Sequence, residues 1–429
     1  MGLFKQFKKL VGDERGNALA IGAAAMPLVI AGAGLALDTV QISLAKRQLQ
    51  RSADSAAIAG AYAVTQGRTA QDGVTRDLEL NNEVTLDGSA VVENAPVSGA
   101  YAGDSRAVRV RLSTRRQLSF LSFFGADEQE ITVEATAASI LEGEFCMLAL
   151  EDGTDTGVSL TGNSDVNIGC GISSNSRAAE AITARGSSSI TASPIMAVGG
   201  VPASGNFASG TEVIPYASPQ EDPYGDLPDP TLPSTCVNGP SVGPQDTLNL
   251  SSSTPGYNAS TNSYCFNGGW DIKGTVTIPA GATIYINGGE LSFGSQAHVT
   301  GTSVAFILTS SNATSNPSSV ATLGMNGGAY FNLGPQTSGT YANVLFYQDR
   351  RAPLGRTISF NGNSSSEVQG ALYFPRTNLQ FNGTTGMITR CIQLVARRLE
   401  FSGNGSVINQ CDEGTANRGF QGQFVRLVG

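Results

Sequence analysis

The chain has 429 residues, a formal net charge of −9, only 14% charged residues, 52 glycines and a single histidine. So acidic a chain, with no polybasic patch after Arg51, is a poor partner for the phosphate backbone of nucleic acid. One histidine, His298 in GSQAHVTGT, leaves little room for a Ser-His-Asp or Cys-His site, and no G-x-S-x-G motif accompanies it.

From Ala18 to Leu37 the sequence reads ALAIGAAAMPLVIAGAGLAL without a charge. A helix of about twenty residues, rising ~1.5 Å per residue, crosses ~30 Å of hydrocarbon. Lys5, Lys8, Lys9 and Arg15 before the run, and Ala31-Gly32-Ala33 inside it, also fit a cleavable signal peptide. Yet the run continues past that site. Thr39 to Val64 then extends the same helix with no proline and one late glycine, Gly60. That continuity favours a retained anchor. Ala18/Gly22 and Gly32/Ala36 put small residues at a spacing that lets another membrane helix approach, although small residues also merely dilute a weakly hydrophobic span. Pro27 predicts a kink. Basic residues flank both ends, so charge alone barely orients the span. All six cysteines (Cys146, Cys170, Cys236, Cys265, Cys391, Cys411) follow it, and an even number suits an oxidising compartment outside the cytoplasm. Fifteen pairings are possible; sequential pairing would close loops of about 20–30 residues, each stabilising by ~2–4 kcal/mol.

Residues 39–142 read as a small α+β domain. The helix to about Gln66 carries a stripe of Ala45, Leu49, Ala53, Ala56, Ala57, Gly60, Ala61 and Val64 opposite Lys46, Arg47, Gln50 and Arg51. A second helix is expected at Thr69–Asn82, and strands at Glu83–Val92, Arg106–Thr114 and Glu130–Ile140. Between the last two, LSFLSFFGA (Leu118–Ala126) is a short apolar helix or turn. The sum is a long helix laid on a three-stranded antiparallel sheet.

Residues 143–411 differ in character, being rich in Gly, Ser, Asn and Thr. TISFNGN (Thr357–Asn363), NLQFNGT (Asn378–Thr384) and RLEFSGN (Arg398–Asn404) repeat a Phe at Phe360, Phe381 and Phe401, with GALYFP (Gly370–Pro375) and CIQLVA (Cys391–Ala396) between them. Looser copies are VLFYQD (Val344–Asp349), AYFNLG (Ala329–Gly334), AFILT (Ala305–Thr309), TIYINGG (Thr283–Gly289) and VSLTGNS (Val158–Ser164). A period of about 20 residues with several short strands per turn predicts a parallel β-solenoid with a Phe ladder. A β-sandwich would not repeat one corner at nearly constant spacing. Val201–Pro244 is too rich in proline for such coils and reads as a loop crossing the solenoid surface. Residues 412–429 form a tail whose QFVRLVG (Gln423–Gly429) suits one last strand.

Few residues invite chemistry. The cysteines include no C-x-x-C, which argues against zinc. Glu221, Asp222, Asp226 and Asp229 match no EF-hand spacing and read as a solvated acidic loop. Lys273 stands beside Asp271, Arg350, Arg351 and Arg356 share one loop, and Trp270 suits packing better than sugar stacking. The reading is therefore no enzyme, no cofactor and no metal.

The segment Glu14–Ala61 resembles the N-terminal module of TadG-like proteins of the Flp (tight adherence, Tad) pilus assembly system. Arg15-Gly16 before the span, Pro27 inside it, Asp38 at its far end and LQRSADSAAIAGA (Leu49–Ala61) carry the likeness. VEATAASI (Val133–Ile140), Cys146-Met147-Leu148-Ala149-Leu150 through Cys170-Gly171-Ile172, the proline-rich Asp222–Pro228 and GALYFP also look TadG-related. TadE-type pseudopilins carry a Glu five residues after a Gly; here Ile21 follows Gly16 and Asn17 follows Gly12 at that spacing, so no processing site is carried over. The resemblance implies a single-pass protein of the bacterial inner membrane, with residues 1–16 cytoplasmic, 17–38 spanning and the rest periplasmic. It implies a structural role in pilus assembly or secretion, with lipid and other Tad proteins as partners through the span and the stripe helix. A surface adhesin, or a polysaccharide-binding or -active β-helix protein, is the alternative.

Overall fold

The computed structural model describes residues 14–124, 128–361, 366–383, 387–409, 411 and 419–429. The fold is mainly β with one long N-terminal apolar helix. The chain divides into two compact units, Met1–Ile140 with Val425–Gly429, and Leu141–Phe424.

In the first unit, helix α1 (Glu14–Thr65) is helical throughout its 52 residues, Pro27 included. Helix α2 (Ala70–Asn81) starts where the Thr69 hydroxyl accepts the Asp72 N–H, satisfying one of the free donors of a helix start. The two helices meet at Gly73, where an added methyl would overlap the Ala59 carbonyl and the Ala63 side chain. Strands β1 (Val91–Asn94), β2 (Ala107–Gln117) and β3 (Glu128–Ala149) pair antiparallel in the order β1–β2–β3. The chain's last residues join them: Thr136 donates to Gly429 and Val428 donates to Thr136. Leu49, Ala53, Ala56, Ala57 and Ala61 of α1 share one core with Val108, Val110 and Leu112 of β2 and Ile131, Val133 and Ala135 of β3.

One local expectation needs correction. Only the end of Glu83–Val92 is strand, because Asn82 folds the chain back: its side chain accepts from the Val84 N–H and donates to the Val84 carbonyl. The short apolar helix or turn expected in Leu118–Ala126 is a 3-10 helix, Leu121–Phe124, with residues 125–126 outside the described residues.

The second unit is built from three ladders of parallel strands. The longest contains eleven strands, ordered in space as 237–238, 263–267, 283–287, 305–309, 344–348, 370–374, 392–396, 147–149, 171–174, 195–197 and 213–214. Spatial order therefore departs from chain order at one place, where Met147–Ala149 pairs with Leu394–Ala396. The second ladder carries Val276, Val299 and Phe331, and further along Val407, Val166 and Ile190. The third carries the Phe repeat: Phe381 lies opposite Phe401, and Phe401 opposite Leu160 of VSLTGNS. Parallel, in-register pairing puts like residues over like. Phe360, Phe381 and Phe401 consequently stack at centroid distances of 5.5 and 4.8 Å. Asn361 and Asn382 are linked in the same way, as are Asn404 and Asn163.

The proline-rich stretch is shorter than the sequence implies. Val213–Ile214 and Val237–Asn238 pair in the long ladder at its two ends, so the stretch between these strands is residues 215–236. Ten strand spacings of ~4.8 Å separate those ends, about 48 Å, which 22 extended residues reaching about 75 Å cover with slack.

Replacing Gly73 with Ala forces α1 and α2 apart and is expected to destabilise by about 1–3 kcal/mol. Phe381→Ala opens a cavity within the ring stack and is expected to cost about 3–5 kcal/mol. Denaturant titration of each variant, with tyrosine fluorescence and far-UV circular dichroism as probes, checks both; unchanged midpoints would contradict the packing described.

Candidate functional site

Along α1 the buried stripe is longer than its alanines. Ala45, Leu49, Ala53, Ala56, Ala57, Gly60 and Ala61 are buried and Val64 is half-buried. The stripe also starts earlier, at Gly34 and Asp38, inside and at the edge of the uncharged run. The Phe120 ring lies on Gly34, so close that an added methyl would overlap it. One helical turn on, Asp38 is fully buried and its Oδ2 accepts the N–H groups of Phe120 at 3.0 Å and Leu121 at 2.7 Å. These are free donors at the mouth of the 3-10 turn, so the carboxylate acts as its cap. Asp38 Oδ1 is buried without a hydrogen-bond partner.

From Ile21 to Ala33 the helix is apolar and largely bare. Ile21, Met26, Leu28, Val29 and Ile30 are between 57% and 75% exposed. A contiguous apolar surface of this kind is what a membrane or a partner covers in the cell. By length and hydropathy α1 is sufficient to cross a membrane. Gly22 and Gly32 face open space and Ala36 is exposed, while Gly16 and Ala18 lie in the same helix.

In the second unit the proline-rich segment is held by a polar and aromatic network. Gln220 and Asn175 exchange hydrogen bonds at 2.7 and 2.8 Å. Tyr224 donates to Gln393 and packs edge-on against Tyr373 at 5.5 Å. The Tyr373 hydroxyl donates to Asp222 at 2.7 Å. Arg350 donates to the carbonyls of Leu227, at 2.7 Å, and Tyr224. Arg351 reaches Asp229 at 3.8 Å and holds the buried Asp349 at 2.6 Å, and Asp349 also accepts from Thr309. Burial raises the pKa of Tyr224, Tyr341 and Tyr373, and pushes that of Tyr347 up to about 12, so all four stay neutral. The Cys236–Cys265 disulfide ends the strap.

Cys146 is bonded to Cys170 and Cys391 to Cys411. His298 is exposed and stacks on Tyr330 at 4.3 Å. Trp270 is buried, packs on Phe266 at 4.7 Å and donates to the Pro240 carbonyl. Asp271 and Lys273 pair with each other at 2.7 Å on the surface. Arg356 donates to the carbonyls of Ser318 and Val320. Among the described residues no group of three His, Cys, Asp or Glu side chains is placed to hold a metal ion. Sequence reasoning missed two features, the cap made by Asp38 and the clamping of the acidic strap by Arg350 and Arg351. Only the second left a trace, as an acidic run and a basic run in one chain.

Residues 16–63 match the family described as "Putative Flp pilus-assembly TadE/G-like". The match coincides with α1, covering both its bare apolar half and its buried stripe. No curated protein and no solved structure matches the chain.

Asp38→Ala leaves two partly buried N–H donors without their acceptor and is expected to cost about 1–3 kcal/mol. Amide exchange at Phe120 and Leu121, followed by mass spectrometry, should accelerate by roughly tenfold or more. Asp349 supplies a pH test. Burial raises its carboxyl pKa, but hydrogen bonds from Arg351 and Thr309 and the Arg351 charge outweigh this and hold it below the usual range. Its stabilising contribution is thus complete above the unfolded value of about 3.9 and disappears as pH falls through the lower folded value. In urea titrations Asp349→Asn should lower the midpoint at about pH 6 and narrow its gap from the parent chain as acid is added.

Proposed function

We propose that this chain is a membrane-anchored structural component of a Flp (Tad) pilus or related secretion apparatus. The observation carrying the proposal is that the TadE/G-like match falls on one continuous helix, bare and apolar in its first half and built into a folded unit in its second. Such a helix couples a membrane to the first folded unit without a flexible joint. In this reading the span docks on other pilus-assembly proteins through Ala18, Gly22, Gly32 and Ala36, where backbones can approach closely.

We read residues 143–411 as a parallel β-solenoid facing the periplasm. The three parallel ladders and the stacked Phe360, Phe381 and Phe401 support that reading. Three disulfides suit an oxidising compartment. The role of such a body is a spacer or a presented surface. Its exposed Asp271 and Lys273 neutralise each other, and Arg350 and Arg351 are spent on the strap.

Fractionation of bacteria expressing the full chain tests the reading. The protein should stay with the inner membrane after alkaline extraction and keep residues before Gly34 at its N-terminus. Protease should reach epitopes beyond residue 140 only after the outer membrane is permeabilised, and loss of the chain should abolish Flp pili. A mature protein starting near Gly34 would overturn the anchor, and reactivity in intact cells would favour surface display.

A further inference from the structure

We propose that the segment Leu118–Phe124 is a membrane foot, immersed beside α1 at the boundary between the acyl chains and headgroups of a lipid bilayer. The proposal rests on α1 being the anchor and adds a second element of the first unit to the bilayer.

Depth along α1 is the first argument. Gly34, beneath the Phe120 ring, belongs to the uncharged run and lies one turn, ~6 Å, closer to the bilayer centre than Asp38. A ring seated at that level shares the environment of the span itself.

The second argument is where the apolar surface of α1 ends. Leu37, Val40 and Leu44 lie on one helix face and are each 54% exposed. The first basic side chains beyond the span are Lys46 and Arg47. From Ala18 to Leu44 a helix is ~40 Å long, the thickness of the hydrocarbon and headgroup layers together. Asp38 therefore lies inside the membrane boundary, not beyond it.

Asp38 itself gives the third argument. A carboxylate facing lipid at that depth is costly. Here it is fully buried and bonded to the backbone of the foot. The foot thus shields the one acidic group that the helix carries at this level. Its own sequence, Leu-Ser-Phe-Leu-Ser-Phe-Phe, has no charge, and Phe120 is 37% exposed. The Phe120 and Leu121 side chains on such a turn suit the interfacial layer.

The test uses the full chain reconstituted in phosphatidylcholine–phosphatidylglycerol vesicles, with Phe120→Trp as the probe and Leu121→Trp as a second position. Trp270 is buried in the other unit, so its emission is subtracted using the parent chain. Lipids brominated near the headgroup end of their acyl chains should cut the added emission by about half or more, with little quenching by aqueous iodide. Leu28→Trp, in mid-span, should respond to lipids brominated deep in the chain. Iodide quenching at both foot positions, with Leu28→Trp still quenched by lipid, would overturn the foot while the anchor stands. Loss of lipid quenching at Leu28 as well would overturn the anchor and the foot together.

Discussion

One continuous helix has to satisfy two environments, and the rest of the first unit follows from that constraint. Apart from its ends and the one bond that Pro27 cannot donate, the backbone bonds of α1 are internal, so the rod can run from an apolar medium into a folded body with few unpaired groups. What changes along it is the side-chain pattern. From Ala18 to Gly34 its sequence is apolar all round, and from Gly34 to Val64 it is one-sided, with small residues that let β2 and β3 lie close. The change of pattern is marked by Asp38, a charged group at a place where charge is expensive. It persists because two backbone N–H groups meet it there.

The second unit answers a different constraint. Strands that pair in parallel cannot be joined by tight hairpins, so each neighbour in a ladder is reached by a longer path. Here the ladder also places residues 147–214 beyond residues 237–396 in space, although they precede them in the chain. The chain therefore has to travel back along the whole ladder once. The proline-rich strap makes that journey with one hydrogen-bonded turn at residues 222–227, and its prolines need no N–H partner. Tyr224, Asp222 and the carbonyl of Leu227 fasten it midway, and Cys236–Cys265 fastens its end. With both ends and the middle tied, the strap behaves as a structural member.

Features written in side-chain periodicity were legible in the sequence. The uncharged run, the alanine stripe, Thr69 at the start of α2 and the Phe recurring at 360, 381 and 401 each reflect a repeated local environment. Parallel pairing keeps equivalent residues in equivalent places, so the Phe stack announces itself as a sequence repeat. The strand expected at Glu83–Val92 was misread because a single asparagine, Asn82, closes a turn on Val84 that outweighs strand propensity.

The sequence by itself determined that a membrane-length apolar helix continues into a small α+β unit, and that a strand-rich, repeating region with six cysteines follows. Only the tertiary structure decided how these parts are closed. Asp38 is met by amides 82 and 83 residues away. Arg350 holds carbonyls of the strap, and Met147–Ala149 pairs with Leu394–Ala396 through the backbone. The partners in these closures are main-chain N–H and C=O groups, which almost every residue carries. They leave no mark in the order of side chains, and only the path of the folded chain selects which of them meet.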